Sequence, residues 1–201
     1  MADNEKKTIP NLRFHFNSPV ILSMTMISLL LLLLLDIVGN DVKHWFGIQN
    51  SGISNPLLYL RLFTHTFLHA DFSHLASNYL LILSVGPMVE EKYGSIRLLV
   101  MVGVTSMTTG LITVFFFPDV LLMGSSGIVF MLMLIASFVN YKKGYIPITV
   151  IVVTIFFIGK EIADEILRFD EISQLSHVIG GLIGGVFGFL WRDPASLKKS
   201  S

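Results

Sequence analysis

Long apolar stretches separated by short polar segments make up most of this chain. The first covers residues 20–35, is interrupted only by Ser and Thr among apolar residues, and ends in a run of leucines. It is long enough to cross a bilayer, and no small-residue cleavage pattern follows it, so we interpret it as a retained span rather than a signal peptide. Five later stretches cover residues 72–89, 96–117, 126–139, 146–158 and 172–191. The pattern predicts an all-α polytopic membrane protein with six transmembrane helices.

Composition supports a membrane domain. Of the 201 residues, 53% are hydrophobic and 14% are charged, and the mean hydropathy is +0.72. Soluble domains carry about a quarter charged residues, so a soluble domain and a disordered chain are both excluded. Basic and acidic residues number 14 each, which gives no basic field for nucleic acid. The absence of cysteine excludes disulfides, thiolate metal sites and cysteine nucleophiles.

The distribution of basic residues predicts the orientation in the membrane. A cytoplasmic N-terminus puts most Lys and Arg on the inner side, as the positive-inside rule requires. The inner segments then hold Lys6, Lys7, Arg13, Lys92, Arg97, Lys142, Lys143, Arg192, Lys198 and Lys199, and the outer segments hold Lys43, Arg61, Lys160 and Arg168. We therefore expect a cytoplasmic tail at residues 1–18, a membrane domain at 19–191 and a second cytoplasmic tail at 192–201. In the outer segment 40–71, the apolar positions predict short helices lying at the membrane interface.

Four polar residues in the predicted spans stand out as functional candidates, because ionisable or strongly polar side chains are costly there. They are His74 and Asn78 in the second span, Ser126 at the start of the fourth and His177 early in the sixth. All three spans run inward from the outer face, so at about 1.5 Å per residue the four share one depth. The alternative is structural: hydrogen bonds between helices for His74 and Asn78, and a packing role for His177.

The residues next to Ser126 and His177 favour a catalytic role over a structural one. Gly124 and Gly127 flank Ser126 at a helix start, where unpaired amides can face a developing anion. In the sixth span a series of glycines shares the face of His177 and permits close helix packing, although packing alone also explains such a series. The series is Gly180, Gly181, Gly184 and Gly188.

A serine beside a histidine has a defined chemistry. Neutral His177 can take the proton of Ser126 and return it to a leaving amine. The Ser126 N–H, the Asn78 amide and the His74 ring can stabilise the resulting oxyanion. Asp170 and Glu171 are expected to face water, so a dyad is predicted rather than a triad.

At these residues the sequence resembles the rhomboid family of intramembrane serine proteases, in its basic six-span form. The segment from Arg61 through His65 and His69 to His74 and Asn78 is similar to the family's first-loop and second-span signature. Residues 124–127 match its Gly-x-Ser-Gly motif, and Ser176-His177 with Gly180 and Gly184 resembles its sixth span.

The resemblance implies Ser126 as nucleophile, His177 as general base, and His74 and Asn78 as oxyanion donors. Supporting roles are implied for Gly124, Gly127, Phe130, Gly180, Gly184, Arg61 and Glu90. It also implies cleavage of transmembrane segments of other proteins near the outer face of the membrane, without cofactor or metal. The expected location is a prokaryotic plasma membrane.

The sequence departs from the family pattern at three positions. Ser125 puts a second hydroxyl beside the nucleophile, although the glycine spacing favours Ser126. Phe130 replaces a frequent tyrosine, and Ser176 replaces the usual alanine.

Three other functions stay open from the sequence. His65 and His69 are four residues apart, a spacing that a metal or haem site can use. A transporter or channel can use a polar layer as a path, but its typical paired intramembrane charges are missing from the span centres. A catalytically inactive rhomboid-like binding protein typically loses the serine or the histidine, and this chain retains both.

Overall fold

A computed structural model of the chain describes residues 18–139, 148, 151, 152, 155 and 171–191. The α-helices in these ranges are α1 Pro19–Val38, α2 Asp41–Phe46, α3 Pro56–Thr64, α4 Phe72–Tyr93, α5 Ser95–Phe116, α6 Ser126–Ala136 and α7 Glu171–Leu190. A 3₁₀ turn occupies His65–Phe67. The predicted helical class is confirmed.

Three of the described helices, α1, α4 and α5, are long and apolar enough to cross a membrane, while α6 and most of α7 are apolar but shorter. Of the fifth predicted stretch, only residues 148, 151, 152 and 155 are described; they are helical and exposed. The rest of that stretch and the two predicted tails, apart from Ser18, lie outside the described residues. The count of six spans therefore stays a prediction.

The N-terminus of α1 is capped by a carboxylate from the far end of α4. The Val20 and Ile21 N–H groups donate to Glu90 Oε1 and Oε2 at 2.9 and 3.1 Å, and Ser95 Oγ donates to Oε1 at 2.7 Å. Glu90 is 2% exposed. A negative charge is favourable at a helix N-terminus because the first N–H groups have no intrahelical partner. The carboxylate thus ties together α1, α4 and α5.

Helix α6 lies inside the bundle, against α4, α5 and α7. Its residues Ile128, Met131, Leu132 and Ile135 are fully or almost fully buried. A helix that is apolar on all sides is expected where neighbours cover every face.

Glycines allow α7 to approach α6 backbone to backbone. A Cβ at Gly180 would collide with the carbonyl oxygen of Gly127, and a Cβ at Gly184 would collide with the carbonyl oxygen of Met131. By contrast, a Cβ at Gly185 would meet nothing within 4 Å. Gly180 and Gly184 of the predicted series are therefore required by contact with α6, whereas Gly185, which is outside that series, has room for a side chain.

The connecting segment, residues 40–71, contains α2, α3 and the 3₁₀ turn, so the predicted short helices are confirmed. It is tied to the α5–α6 loop, residues 117–125. Ile48 and Leu122 exchange backbone hydrogen bonds at 3.0 and 2.9 Å, and Gly124 N–H donates to the His65 carbonyl at 2.9 Å. The connecting segment thereby fixes the point at which α6 starts.

Candidate active site

The loop before α6 turns at a glycine that no other residue replaces without strain. Gly124 has a φ of 122°, which side-chain-bearing residues rarely adopt. A Cβ there would also lie 2.9 Å from Cε1 and Nε2 of His74. The imidazole of His74 therefore lies directly against the backbone two residues before Ser126.

The two adjacent serines have different environments. Ser125 is fully buried, and its Oγ lies 3.1 Å from Nε2 of His69. Ser126 is partly exposed at the first position of α6. Of the two serines, only Ser126 is thus partly accessible, and it is the one favoured by the glycine spacing.

The start of α6 supplies amide donors around Ser126. The helical hydrogen bonds begin with Val129 N–H donating to the Ser125 carbonyl at 2.9 Å. The N–H groups of Ser126, Gly127 and Ile128 precede that bond and have no carbonyl four residues earlier in the helix. Such amides favour a negative charge beside the Ser126 hydroxyl.

The first turns of α4 bring His74 and Asn78 to this region. Asp71 caps the helix by accepting from the His74 N–H at 2.8 Å. Asn78 is buried, and its Nδ2 donates to the His74 carbonyl at 2.8 Å. A primary amide has a second N–H and a carbonyl oxygen, so this bond leaves donor capacity on Asn78.

His177 lies on the part of α7 that contacts α6. Its ring centroid is 4.5 Å from that of Phe130, with the ring planes tilted by 39°. The carbonyl of the preceding Ser176 lies against Gly127, where an added Cβ would be 3.3 Å away. His177 is 7% exposed. The buried imidazole is therefore held close to the first turn of α6 by ring packing and by the glycine contact.

Arg61 and Glu90 have bonding partners outside this cluster. Arg61 Nε donates to the Trp45 carbonyl at 3.4 Å, a long bond inside the connecting segment. Glu90 is 16 residues after His74 on α4, roughly 24 Å along the helix axis. Both residues therefore have structural partners, and Glu90 lies at the opposite end of α4 from His74.

His65 and His69 use both ring nitrogens within the protein. His65 Nδ1 lies 2.9 Å from the Arg61 carbonyl and Nε2 lies 3.3 Å from Thr109 Oγ1, while His69 bonds the Phe67 carbonyl and Ser125. Burial lowers the pKa of each imidazole from 6.5 to about 4, and His74 adds to the effect on His69. No group of three His, Asp or Glu in the described part of the chain is arranged to hold a metal ion.

The structure brings several of the predicted site residues into contact with one another or with their chain neighbours. Gly124 contacts His74, and Phe130 packs against His177. Gly127 lies against Gly180 of α7. Sequence reasoning missed the bond between His69 and Ser125. The available signal was the second serine of the motif, since a buried hydroxyl needs a partner.

These features define a class: a helical membrane protein with a partly exposed serine at the first position of a buried helix, two residues after a glycine that contacts a histidine. The chain belongs to the rhomboid family, because residues 57–194 match the family model of the Rhomboid domain. It is also 31% identical over 168 residues to the Rhomboid protease GluP of Bacillus subtilis (strain 168). The match covers 80% of this chain and 32% of that relative, so the chain spans about a third of the relative's length.

Proposed function

We propose that this chain is an intramembrane serine endopeptidase that cleaves transmembrane segments of other membrane proteins near the outer face of the membrane. The observation that carries the proposal is the position of Ser126. Ser126 is partly exposed at the start of a buried helix, and its flanking glycines lie against His74 on one side and against α7 on the other. Family membership and the name of the relative support the same activity.

In the proposed reaction, Ser126 Oγ attacks the substrate carbonyl carbon while the His177 imidazole takes the hydroxyl proton. The carbonyl oxygen becomes an oxyanion that accepts from the Ser126 N–H, the free N–H of Asn78 and the His74 ring. The C–N bond then breaks, His177 gives the proton to the leaving amine, and an acyl ester forms on Ser126. Water, deprotonated by His177, hydrolyses that ester and restores the enzyme.

We propose a Ser126–His177 dyad because no acidic residue lies within one helical turn of His177 on α7. Phe130 provides the aromatic surface that orients the imidazole. Arg61 and Glu90 stabilise the fold and do not contact the substrate.

The proposal includes the predicted topology, with six spans over residues 19–191 and cytoplasmic tails at 1–18 and 192–201. The distribution of Lys and Arg supports this orientation in a prokaryotic plasma membrane. The substrate must unwind locally in the site, because a peptide bond inside a helix is shielded by its own hydrogen bonds. No cofactor takes part.

The test is cleavage of a reference transmembrane substrate by the purified chain in proteoliposomes, with and without a chelator. The unsubstituted chain should cleave it in both conditions, and Ser126→Ala and His177→Ala should be inactive yet folded by thermal unfolding in detergent. Full activity of Ser126→Ala contradicts the mechanism. Inhibition by the chelator favours a metal enzyme, and substrate binding without cleavage favours the inactive binding protein.

A further inference from the structure

Ser125 makes a contact that the reaction above does not use. Its Oγ lies 3.1 Å from His69 Nε2, and its backbone N–H donates to the same nitrogen at 3.4 Å. Ser125 and His69 are both fully buried. The residue before the nucleophile is therefore held by the connecting segment through its backbone and its side chain.

The partners of His69 define its tautomer. Nδ1 lies 3.2 Å from the Phe67 carbonyl, and a carbonyl oxygen only accepts, so Nδ1 carries the proton. A neutral imidazole then has a bare Nε2, which accepts from the Ser125 hydroxyl and N–H. The lowered pKa of His69 is consistent with this neutral form.

The ring of His69 is also held in place by two other rings. The His74 ring lies edge-on at 5.1 Å between centroids, and the Tyr79 ring lies edge-on at 5.7 Å. Tyr79 is fixed in turn, because its hydroxyl donates to the Met24 carbonyl at 3.0 Å and lies 2.6 Å from Ser28 Oγ. The position of Nε2 is therefore set by the packing of α1 against α4.

We propose that His69 is a positioning residue for the nucleophile: its bare Nε2 holds Ser125 inward, and this fixes Ser126 in the orientation that attacks the substrate. The proposal rests on the proposed function. Two adjacent hydroxyls are chemically alike, and rotation of the backbone between them would exchange their environments. The bond to His69 selects one arrangement, with Ser125 buried and Ser126 presented.

The first test compares kcat and KM for variants of the two partners. Ser125→Ala removes the hydroxyl bond and should lower kcat by about fivefold with KM unchanged, as expected for one hydrogen bond. His69→Leu removes the acceptor for both donors and should lower kcat by more than about tenfold. His69→Gln should recover part of the loss because its side-chain oxygen can accept. Ser84→Ala, which removes an exposed hydroxyl bonded to its own helix, is the matched control and should leave both constants unchanged.

The second test is ¹⁵N NMR of the His69 imidazole, which reports the bond without catalysis. The unsubstituted chain should show a proton on Nδ1 and an acceptor Nε2, and Ser125→Ala should shift the Nε2 resonance. Any of four results would overturn the proposal: a proton on Nε2, equal kcat in His69→Leu and His69→Gln, an unchanged kcat in Ser125→Ala, or a raised KM in place of a lowered kcat. If the unsubstituted chain cleaves nothing, the proposed function fails, and the NMR result still decides whether the bond to Ser125 exists.

Discussion

The two ends of α4 both place polar groups inside the bundle, but they differ in how fully those groups are bonded. At one end, Glu90 accepts from two backbone N–H groups and from Ser95, which uses both carboxylate oxygens. At the other end, Asn78 is buried and bonds the His74 carbonyl through one N–H, which leaves a second N–H for a further partner.

The number of unused hydrogen-bond donors distinguishes a polar group with a structural role from one suited to catalysis. A fully bonded group such as Glu90 stabilises the packing of three helices and has little capacity left for a ligand. A buried group with spare donors costs stability unless something occupies them, and in our proposal the transition-state oxyanion does so. Substitutions at the two ends should therefore separate stability from activity.

Of the two ends of α4, the end that carries Asn78 is expected to show the larger effect on rate. Asn78→Ala should lower kcat by about 10²–10³-fold, because one oxyanion donor is lost, with a small change in unfolding temperature. Ser77→Ala is the matched control, since Ser77 is exposed and its hydroxyl donates to the same His74 carbonyl at 2.9 Å. Steady-state kinetics in proteoliposomes checks both variants, and equal rates for Asn78→Ala and the unsubstituted chain would remove Asn78 from the site.

At the other end of α4, a substitution should lower the stability of the fold and leave the rate of cleavage unchanged. Glu90→Ala leaves the first N–H groups of α1 without their cap and should lower the free energy of unfolding by about 2–3 kcal/mol. The molecules that stay folded should cleave at the normal rate. Glu91→Ala changes an exposed neighbour and is the control. Thermal unfolding in detergent measures the loss, and a kcat defect without loss of stability would assign Glu90 to the chemistry.

An intermediate effect is expected where α7 contacts α6. Gly180→Ala places a methyl group against the Gly127 carbonyl and should cost about 2 kcal/mol, within the usual range for overpacking. It should also lower kcat, because α7 carries His177. Gly185→Ala adds the same methyl group where nothing lies within 4 Å and should change neither quantity. Equal behaviour of the two variants would contradict the observed helix contact.

The smallest effect is a pH dependence of stability from the connecting segment. The pKa of His65 and of His69 is about 4 in the fold against 6.5 when unfolded, so the unfolded chain binds more protons between these values. The contribution of these two histidines to the free energy of unfolding should therefore be fully present above pH 6.5 and should decrease as the pH falls toward 4. The loss between pH 7 and pH 5.5 should be about 1 kcal/mol per imidazole. Thermal unfolding of His65→Gln and of His69→Gln should each show a shallower pH dependence, and an unchanged one would contradict the assignment.

Hydropathy predicted the helix starts well and the helix ends less well. The predicted span 96–117 is found as Ser95–Phe116, and α6 starts at Ser126 as predicted. The second span was predicted to end at residue 89, but α4 continues to Tyr93. Its last turn contains Glu90, whose bonding partners on α1 are about 70 residues away and leave no trace in a hydropathy pattern.

The end of α6 and the roles of the two serines also depended on distant contacts. Residues 137–139 were predicted to continue α6, but they form a turn whose Val139 carbonyl accepts from Lys92 Nζ at 2.6 Å. The bond that distinguishes Ser125 from Ser126 comes from His69, 56 residues earlier. Local sequence predicted a site from its glycines and costly polar residues, but it did not reveal which distant side chains hold those residues in place.

The most direct test of the central claim is to map the residue labelled by a fluorophosphonate probe by mass spectrometry. The proposed mechanism predicts labelling at Ser126 in the unsubstituted chain and loss of labelling in His177→Ala, because the hydroxyl reacts only when the imidazole takes its proton. Labelling at Ser125, or labelling of Ser126 that is unchanged in His177→Ala, would contradict it.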